Sequence, residues 1–368
     1  MKIFQVINVR WFNATAWYAI TLSRLLADAG HEVLVLTQAG TDAEKAAQAS
    51  GLRTESVDLN TTNPVRFARA TGHIIQLLRT HRPDIVNCHR GEGFFLWGLL
   101  KLAGFHFRLV RTRGDQRPPR SDAVNRWLHA SVADAVVVTN RFMAEHFLRK
   151  MRTPGKGVWL IHGGVDTERF AFDPEGRETV RREFGFGPDD LVVGLLGRFD
   201  RVKGHRELIR AVARLRNAGL PNIKLFLIGF DTAMTRDEIE SEIAASGVGD
   251  ITRISGRRDD VPACISALDI GVVASLWSET IARAALEIMA AGRPLVSTTV
   301  GVMPDLVSAP ALAPPGDEKA MATAIFEVSK EPVKVQVLDR QKRLMSQLNL
   351  DDFLKRSLNL YHSLLDDH

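Results

Sequence analysis

Two glutamates, Glu279 and Glu287, lie eight positions apart across a predicted strand-to-helix turn. On one helix, a rise of about 1.5 Å per residue would separate them by roughly 12 Å along the axis. Glycosidases hold their catalytic carboxyl pair at most about 9.5 Å apart, so acid–base hydrolysis of that kind is not favoured. The spacing suits carboxylates that hold two ends of an extended ligand, with helix N-terminal N–H groups between them for a phosphate. The alternative is an ordinary solvated helix face.

Two cations, Arg198 and Lys203, lie on a loop that follows a predicted strand at residues 191–196. Arginine binds phosphate oxygens in bidentate fashion, and lysine binds them as a point charge. The loop is not a Walker loop, because Lys203 precedes Gly204 and no Ser or Thr follows. A solvated basic turn is the alternative interpretation of the loop taken alone.

The elements that would position these side chains alternate between strands and helices. Apolar runs predict strands at residues 2–7, 32–36, 84–87, 108–111, 133–139, 191–196, 224–228, 251–254, 270–274 and 295–298. Helices are predicted at residues 15–29, 63–80, 94–103, 207–217, 237–246 and 261–267. Glu287 lies on a further helix, which Ser278 or Thr280 would cap and Gly292 would end. Such alternation is typical of parallel sheets, which bind ligands at the carboxyl ends of their strands.

The length of 368 residues and the hydrophobic content of 45% are sufficient for two domains with sizeable cores. The strand–helix pattern restarts at residue 191, after a segment (153–187) with Gly and Pro that predicts an interdomain connection. The sequence therefore predicts an α/β protein of two doubly wound, Rossmann-like domains that face each other across a cleft.

Several segments in a particular order resemble the retaining GT-B glycosyltransferases of family 4. The main ones are Gly197-Arg198 with Lys203-Gly204, Ser255-Gly256-Arg257, and Glu279 and Glu287 with seven residues between them. Similar supporting segments are Gly163-Gly164-Val165-Asp166, Asp269-Ile270 and Gly301 followed by Pro304-Asp305-Leu306-Val307. The resemblance implies that residues 1–165, completed by an amphipathic C-terminal helix at 351–368, bind the acceptor. It also implies that residues 166–350 bind a nucleotide sugar.

For the second domain, the resemblance implies a donor site. Arg198 and Lys203 would neutralise the diphosphate and stabilise the departing nucleotide. Glu279 would contact the transferred sugar, and Glu287 would accept hydrogen bonds from the ribose hydroxyls. The remaining donor-binding residues would be Gly197, Gly256, Arg257, Thr280, Ile281, Ala282 and Arg283. Relatives usually have small or glycine residues at some of these positions, where this chain has Thr280 and Ala282.

For the first domain, the resemblance implies an acceptor side formed by Asn13, Thr15, His89, Arg113 and Asp115. Relatives often have a Gly-Gly turn near Asn13 and a histidine in place of Gly114. His89 could instead be a histidine bonded to a neighbouring loop carbonyl. Asp115 could instead be paired with Arg113 or Arg117.

The resemblance also bears on the chemistry. No protein nucleophile is firmly established for this class, and the leaving phosphate is thought to help deprotonate the acceptor. The chain has no Asp-x-Asp triplet, which disfavours metal-dependent GT-A chemistry. We therefore expect no required cofactor and no metal, with a UDP, GDP or ADP sugar as co-substrate.

Positive charge is concentrated between residues 100 and 160. This segment contains twelve Lys or Arg residues and four Asp or Glu residues, in a chain whose net charge is +5. This favours an anionic or membrane-held acceptor and predicts an anionic membrane surface as a partner. The segment 142–151 mixes Phe142 and Leu148 with Arg149 and could lie on a bilayer, or it could bury its apolar stripe in the core.

Cys88 and Cys264 are far apart in apolar contexts, which predicts free thiols in a reducing compartment. The N-terminal stretch has no signal-peptide pattern. We therefore expect a cytoplasmic protein, or one peripheral on the inner face of the membrane.

Other classes of protein remain alternatives. A nucleotide-sugar epimerase on the same fold could use Asp115 and His205, and a non-enzymatic basic binding protein would explain the charge. A nucleic-acid-binding protein is disfavoured because no helix-turn-helix or aromatic stacking set is evident. An NAD enzyme is disfavoured because no Gly-x-Gly-x-x-Gly follows a strand. The resemblance, together with the concentration of positive charge, implies a transferase that acts in cell-envelope polysaccharide or lipopolysaccharide assembly.

Overall fold

A computed structural model describes residues 1–9 and 12–366 of the chain. The chain divides into two compact units. The first domain is Met1–Gly163 together with the C-terminal segment from Asp351, and the second domain is Gly164–Leu350. The boundary expected from the sequence, at 165/166, lies close to this division.

The first domain is built on a parallel sheet. Its strands are β1 (Lys2–Val6), β2 (Glu32–Thr37), β3 (Arg53–Ser56), β4 (Ile85–Cys88), β5 (Arg108–Arg113), β6 (Ala135–Val138) and β7 (Val158–Leu160). In the described part of the chain these seven strands have the order β3-β2-β1-β4-β5-β6-β7. The chain therefore reverses its direction across the sheet between β1 and β4, as in doubly wound folds.

Helices connect these strands. They are α1 (Ala14–Asp28), α2 (Asp42–Ala49), α3 (Pro64–His81), α4 (Phe94–Leu102), α5 (Ala123–Trp127) and α6 (Arg141–Arg149). Asn13 caps α1 and Asn140 caps α6, each through a side-chain oxygen that accepts a first-turn N–H. A π-helical turn, Leu128–Val132, continues α5.

Helix α6 bears on the two interpretations of segment 142–151. Its side chains Met143 and Phe147, together with Met151, are buried against Val136 and Val138 of β6. The core interpretation is therefore confirmed for this stripe. Phe142 and Leu148 are nevertheless exposed on the same helix.

The second domain contains the second parallel sheet. Its strands are β8 (Leu191–Leu196), β9 (Ile223–Ile228), β10 (Thr252–Ile254), β11 (Ile270–Val273), β12 (Leu295–Thr298) and β13 (Leu312–Ala313). Among the described residues these six strands have the order β10-β9-β8-β11-β12-β13. The predicted pair of doubly wound, Rossmann-like sheets is thus confirmed.

Along the chain, the helices of the second domain come before, between and after its strands. They are α7 (Pro174–Phe184), α8 (His205–Asn217), α9 (Arg236–Ala245), α10 (Val261–Ser266), α11 (Arg283–Ala290), α12 (Met303–Leu306), α13 (Glu318–Val328) and α14 (Val333–Met345). The final helix, α15 (Leu350–Asp366), belongs largely to the first domain. There Phe353 packs edge-on against Tyr18, with ring centroids 4.7 Å apart.

Residues 153–187 contain the division between the two domains, as expected for a connection, but they also form a strand and a helix that were not predicted. This segment contains β7, an edge strand of the first sheet, and α7. Asp269 explains why α7 belongs to the second domain. Its carboxylate accepts hydrogen bonds from Arg177 (2.6 Å), Arg181 (3.1 Å) and the N–H of Val192 (2.8 Å). One side chain thereby joins α7 to the starts of β8 and β11, a tertiary contact that local sequence does not reveal.

No helix in the described ranges is long and apolar enough to span a membrane.

Gly204 joins the loop after β8 to the end of β11. Its φ of +72° lies in the left-handed region, and an added Cβ would lie 1.9 Å from the carbonyl oxygen of Ala274. Only glycine satisfies both constraints. The close approach of these two loops therefore depends on the missing side chain.

We expect Gly204→Ala to destabilise the second domain far more than Gly219→Ala. Both glycines have positive φ and flank α8, but an added Cβ at Gly219 meets nothing within 4 Å. Gly219→Ala should cost only the left-handed backbone penalty, about 1–2 kcal/mol. Gly204→Ala adds the steric clash, and denaturant unfolding of both variants would measure the difference. Equal losses would show that the Ala274 contact relaxes without cost.

Candidate functional site

The loops at residues 197–204 and 274–282 follow β8 and β11, at the carboxyl end of the second sheet. β8 is flanked by β9 on one side and β11 on the other, so the chain changes direction across the sheet at this point. Ligands of doubly wound folds bind in the crevice outside such a switch point. The two predicted groups of charged residues thus lie on adjacent loops.

An ion pair joins these loops. The Nζ of Lys203 lies 2.8 Å from Oε2 of Glu279. The same carboxylate oxygen accepts a 2.6 Å hydrogen bond from Oγ of Ser275, which is fully buried. Glu279 is therefore a buried carboxylate with both a counter-charge and a hydroxyl donor, which are the conditions under which a buried charge is tolerated.

Backbone hydrogen bonds hold the Glu279 loop on both sides. The N–H of Leu276 donates to the carbonyl of Val202 in the β8 loop (2.8 Å). The N–H of Val302, after β12, donates to the carbonyl of Glu279 (2.8 Å). The position of the carboxylate is consequently set by three neighbouring strands.

The structure corrects the predicted start of the helix that carries Glu287. Helix α11 begins at Arg283, and neither Ser278 nor Thr280 caps it. The residue before the helix, Ala282, has a left-handed φ of 55°, which turns the chain sharply into the helix. Glu279 therefore lies outside the helix, and the distance derived from a shared helical axis does not apply.

Thr280, Ile281 and Ala282 form the buried turn between Glu279 and α11. Because an α-helix leaves the N–H groups of its first turn without intrahelical acceptors, the start of α11 favours negative charge. That start is at Arg283 rather than at Thr280. Left-handed alanine costs about 1–2 kcal/mol, so the turn is held by its surroundings.

Glu287 lies on the buried side of α11 and is 3% exposed. Its Oε1 accepts a hydrogen bond from Nε of Arg283, one helical turn earlier, at 2.6 Å. Burial raises the pKa of the Glu287 carboxyl, and the charge and hydrogen bond of Arg283 act in the opposite direction. Glu287 is thus a buried hydrogen-bond acceptor, and its partner Arg283 is a partly exposed cation.

Arg198 pairs with Asp200 on its own loop, with Nη2 at 2.8 Å from Oδ2. Burial alone would raise the pKa of Asp200, but hydrogen bonds from Arg198 and the N–H of Val202 hold it below its usual value. A Cβ added at Gly197 would lie 3.7 Å from the side-chain carbons of Lys203, so Lys203 passes close to this glycine. Both predicted cations thus lie on one short loop, each beside a carboxylate.

Gly256 and Arg257 follow β10 at the same edge of the sheet. Gly256 has a left-handed φ of 72°. The guanidinium of Arg257 lies 4.4 Å from the ring centroid of Phe230, which follows β9, in a cation–π contact. The structure therefore brings all the predicted donor-side residues to the carboxyl edge of one sheet.

In the first domain, His89 is fully buried after β4. Its Nε2 lies 2.7 Å from the side-chain carbonyl oxygen of Gln5, so Nε2 carries the proton, because an amide oxygen only accepts. The alternative prediction, that His89 is bonded to a neighbouring loop carbonyl, was therefore wrong. Within the described residues Nδ1 has no hydrogen-bond partner. Burial, followed by the charge of Arg111, lowers the pKa of His89 to about 3, so the ring is neutral.

Asp115 is the centre of a cluster of arginines. It lies 3.3 Å from nitrogens of Arg90, Arg111 and Arg113. The alternative pairing with Arg113 is confirmed, whereas Arg117 joins the described part of the cluster through its backbone carbonyl, which accepts from Arg113 (2.8 Å).

Arg90 and Arg111 complete this cluster, although neither is among the acceptor-side residues predicted from the sequence. Arg90 also pairs with Glu92 at 2.8 Å. Arg111 is fully buried, and burial, followed by repulsion from Arg113, lowers its pKa to about 9. An arginine next to the apolar pair Leu109-Val110 in a buried strand was the available signal, because a charge is rarely buried without a partner.

Asn13 and Thr15 lie at the start of α1. The side chain of Asn13 accepts from the N–H of Ala16 (3.0 Å), so this residue has a capping role. The hydroxyl of Thr15 donates to the carbonyl of Gly114 (3.4 Å). Thr15 thereby connects the start of α1 to the loop that carries Asp115.

His205, which the epimerase alternative would use as an acid–base group, lies buried against Phe199 with ring centroids 5.3 Å apart. Burial lowers its pKa to about 4. Among the described residues, no group of three His, Cys, Asp or Glu side chains is arranged to hold a metal ion.

Two family models together match most of the chain. The model described as "Glycosyltransferase Family 4" matches residues 15–169, and the model described as "Glycosyl transferases group 1" matches residues 190–331. The chain belongs to the group 1, family 4 glycosyltransferases.

Individual relatives agree with this assignment. The chain is 26% identical over 311 residues to a 2-deoxystreptamine glucosyltransferase of Streptomyces kanamyceticus, which covers 77% of this chain and 78% of that protein. It is 27% identical over 265 residues to a D-inositol 3-phosphate glycosyltransferase of Mycobacteroides abscessus, and the aligned region covers 67% of this chain. The chain spans only 58% of the length of that second relative.

The fold is that of the GT-B glycosyltransferases. The crystal structure of Anabaena HepE in complex with UDP has a TM-score of 0.85 to this chain, at 19% identity, and covers 99% of this chain and 100% of that one. The same Anabaena protein is also described in complex with UDP-glucose.

We expect Glu287→Gln to stabilise the protein at neutral pH. Because burial raises the pKa of Glu287 above its ordinary value of 4.5, the folded state binds this proton more tightly than the unfolded chain does. Stability from this group is therefore full below pH 4.5 and falls as the pH rises through the folded pKa. Glutamine keeps an oxygen for Arg283 and removes the buried charge.

Thermal unfolding of the variant and the wild type across pH would measure this effect. The advantage of Glu287→Gln should shrink towards pH 4.5. Glu240→Gln, on the exposed face of α9 beside Arg236, is the control and should change stability little. A loss of stability in Glu287→Gln at neutral pH would mean that the pair with Arg283 outweighs the cost of burial.

Proposed function

We propose that this glycosyltransferase moves a sugar from a nucleoside-diphosphate sugar to a glycan or lipid-linked acceptor, with retention of anomeric configuration. The observation that carries the proposal is the ion pair between Lys203 and Glu279 (2.8 Å) at the switch point of the second sheet. It joins a cation suited to a phosphate and a carboxylate suited to sugar hydroxyls. UDP is the proposed nucleotide, because a protein of the same fold is described with UDP and UDP-glucose.

Donor binding exchanges the partners of these charges. The diphosphate oxygens take the places of Asp200 and Glu279 beside Arg198 and Lys203. Hydroxyl groups of the sugar and the ribose then donate to Glu279 and Glu287. Each buried carboxylate keeps a donor throughout, so the exchange avoids leaving a buried charge unpaired.

The same cations serve the transfer step. As the bond between the sugar and the phosphate breaks, negative charge develops on the leaving diphosphate, and Arg198 and Lys203 stabilise it. The N–H groups of the first turn of α11 add further donors. The base lies against the Gly256–Arg257 backbone.

No cofactor or metal is part of the proposal. The leaving phosphate oxygen accepts the proton of the acceptor hydroxyl, so the two reacting groups share one face of the sugar. This arrangement agrees with retention. His89 is neutral and hydrogen-bonded to Gln5, so its role is to shape the acceptor side rather than to gain a proton.

The acceptor side is proposed to be the arginine cluster around Asp115. Arg90, Arg111 and Arg113 outnumber the carboxylates Glu92 and Asp115, which favours an acceptor with an anionic group. With the excess of positive charge between residues 100 and 160, this supports cell-envelope or lipopolysaccharide synthesis at the inner face of a membrane.

A thermal-shift titration with UDP, GDP, ADP and CMP would test the donor site. At 100 times its dissociation constant, a ligand adds about 2.7 kcal/mol to stability. We expect UDP to raise the melting temperature without added metal. Arg198→Ala with Lys203→Ala should remove that shift and abolish transfer, since one such contact is worth about 10²–10³ in rate.

Arg201→Ala is the matched control, because Arg201 is an exposed cation on the same loop whose nearest carboxylate, on Glu207, is 3.9 Å away. It should keep both the shift and the transfer. Retained transfer in the double variant would locate the phosphate site elsewhere, and no shift with any nucleotide would favour the binding-protein alternative.

Retention has its own test. With a UDP-α-sugar and an acceptor that supports turnover, proton NMR of the first product formed should show the α-anomer. A β-linked product would overturn the proposal of retention and would require a general base on the acceptor side.

A further inference from the structure

A cavity of about 330 Å³ lies at the amino ends of β5, β6 and β7 in the first domain. We call it the amino-edge cavity. The arginine cluster around Asp115 follows the carboxyl end of β5, so the two features lie at opposite edges of one sheet. A volume of roughly 300–1,000 Å³ is typical of pockets for small organic ligands. The lining residues that matter for its chemistry are Arg108, His129, Asp134, Thr153, Lys156 and Trp159.

Two of the lining residues are buried and each has a polar atom without a partner. His129 is 4% exposed and Thr153 is 5% exposed. In the part of the chain that the structure describes, neither Nε2 of His129 nor Oγ1 of Thr153 has a hydrogen-bond partner. Buried polar groups in folded proteins nearly always have one. Since both residues line the same cavity, an occupant of that cavity would supply the missing partners.

The tautomer of His129 determines which kind of group it needs. Its Nδ1 lies 2.8 Å from the carbonyl oxygen of Asn125, and a carbonyl only accepts, so Nδ1 carries the proton. Burial lowers the pKa of His129 to about 4, so the ring is neutral at physiological pH. Nε2 is therefore an acceptor, and the occupant must offer it an O–H or N–H group.

The charge on the cavity wall is positive. The carboxylate of Asp134 pairs with both Arg108 and Lys101, and it also accepts a 2.6 Å hydrogen bond from the N–H of Leu109. One carboxylate thus serves two cations. Lys156 is exposed at the wall and forms no ion pair with any described residue. This excess of cations favours an anionic occupant.

A neighbouring cavity extends the same field. It has a volume of about 350 Å³ and shares Arg108 with the amino-edge cavity. Arg82, Lys101 and His106 line it as well, against the single carboxylate of Asp84. The positive potential at this edge of the sheet therefore comes from several residues, and it raises the local concentration of anions.

Backbone contacts hold the wall in place. The indole N–H of Trp159 donates to the carbonyl of Lys156 (3.2 Å), and the N–H of Thr153 donates to the carbonyl of Phe147 (3.1 Å). Arg152, directly before Thr153, has a left-handed φ of 59°. That conformation costs a residue other than glycine about 1–2 kcal/mol, so the surrounding structure must hold it.

We propose that the amino-edge cavity binds a small anion that also carries hydroxyl groups, of the class of phosphorylated polyols. Arg108 and Lys156 bind the oxygens of the anionic group. One hydroxyl group donates to Nε2 of His129, and a second exchanges a hydrogen bond with Oγ1 of Thr153. The site lies apart from the acceptor-side cluster and does not depend on the proposed donor site.

Water is the competing occupant. Water molecules can donate to His129 and bond to Thr153, as they do for many buried polar groups. They leave the excess of positive charge uncompensated, however, whereas an anion neutralises it. The charge of the wall therefore favours the anionic ligand over water alone.

Isothermal titration calorimetry of the full chain would test the proposal, with ribose 5-phosphate as the probe and saturating UDP to occupy the donor site. Ribose and inorganic phosphate each supply half of the chemistry. We expect ribose 5-phosphate to bind at least tenfold more tightly than either of them.

Two variants examine the cavity itself. Lys156→Gln should weaken ribose 5-phosphate binding about tenfold or more, as expected for losing a hydrogen bond to a charged group. Thr153→Val should weaken it about threefold to tenfold, as expected for losing a neutral one. The melting temperature of free Thr153→Val should not fall, because its hydroxyl has no protein partner to lose.

Lys150→Gln is the matched control, because Lys150 is an exposed cation close in sequence that does not line the cavity. It should bind ribose 5-phosphate as the wild type does. Each variant is compared with the wild type under the same conditions, so a loss confined to the cavity variants identifies the cavity whether or not UDP binds.

Three results would overturn the proposal. The absence of ribose 5-phosphate binding would leave water as the occupant. Unchanged binding in Lys156→Gln and Thr153→Val would place the ligand at another site. Equal affinity for inorganic phosphate and ribose 5-phosphate would remove the hydroxyl contacts with His129 and Thr153.

Discussion

The ion pair between Lys203 and Glu279 is the interaction on which the donor-side geometry depends. A buried carboxylate is stable only with a counter-charge and further donors, and Lys203 and Ser275 supply them. That requirement brings the loops after β8 and β11 together, and Gly204 makes the approach sterically feasible. Removing one partner would leave a charge uncompensated, so the pair constrains the local fold as well as the chemistry.

Three cation–carboxylate pairs of the second domain share one asymmetry. They are Arg198–Asp200, Lys203–Glu279 and Arg283–Glu287. In each pair the cation is more exposed than its carboxylate: 45 against 19%, 23 against 8%, and 42 against 4%. An approaching anion therefore meets the cations first, while the carboxylates stay anchored below. This order suits a ligand with phosphates next to hydroxyl groups.

The sequence was sufficient to predict the doubly wound fold class and the loops that carry Arg198, Lys203 and Glu279. Apolar runs and turn residues are local signals, so both could be found without tertiary contacts. The prediction failed at the start of α11, since a cap residue normally marks a helix start and here Ala282 adopts a left-handed conformation instead. It also failed for α7, whose place is decided by the contacts of its arginines with Asp269. The roles of the predicted donor and acceptor residues remain predictions.

In the first domain too, the orientation of a predicted site residue depends on contacts that local sequence does not reveal. His89 is oriented by Gln5, whose amide nitrogen lies 3.4 Å from the hydroxyl of Tyr361 on α15. Asn87 donates to that hydroxyl at 2.9 Å and accepts from Thr112 at 2.8 Å. A chain of buried hydrogen bonds thus runs from the C-terminal helix to the loop beside the arginine cluster. Because unpaired buried polar groups are costly, α15 is part of what positions His89, and it is more than a cover on the first domain.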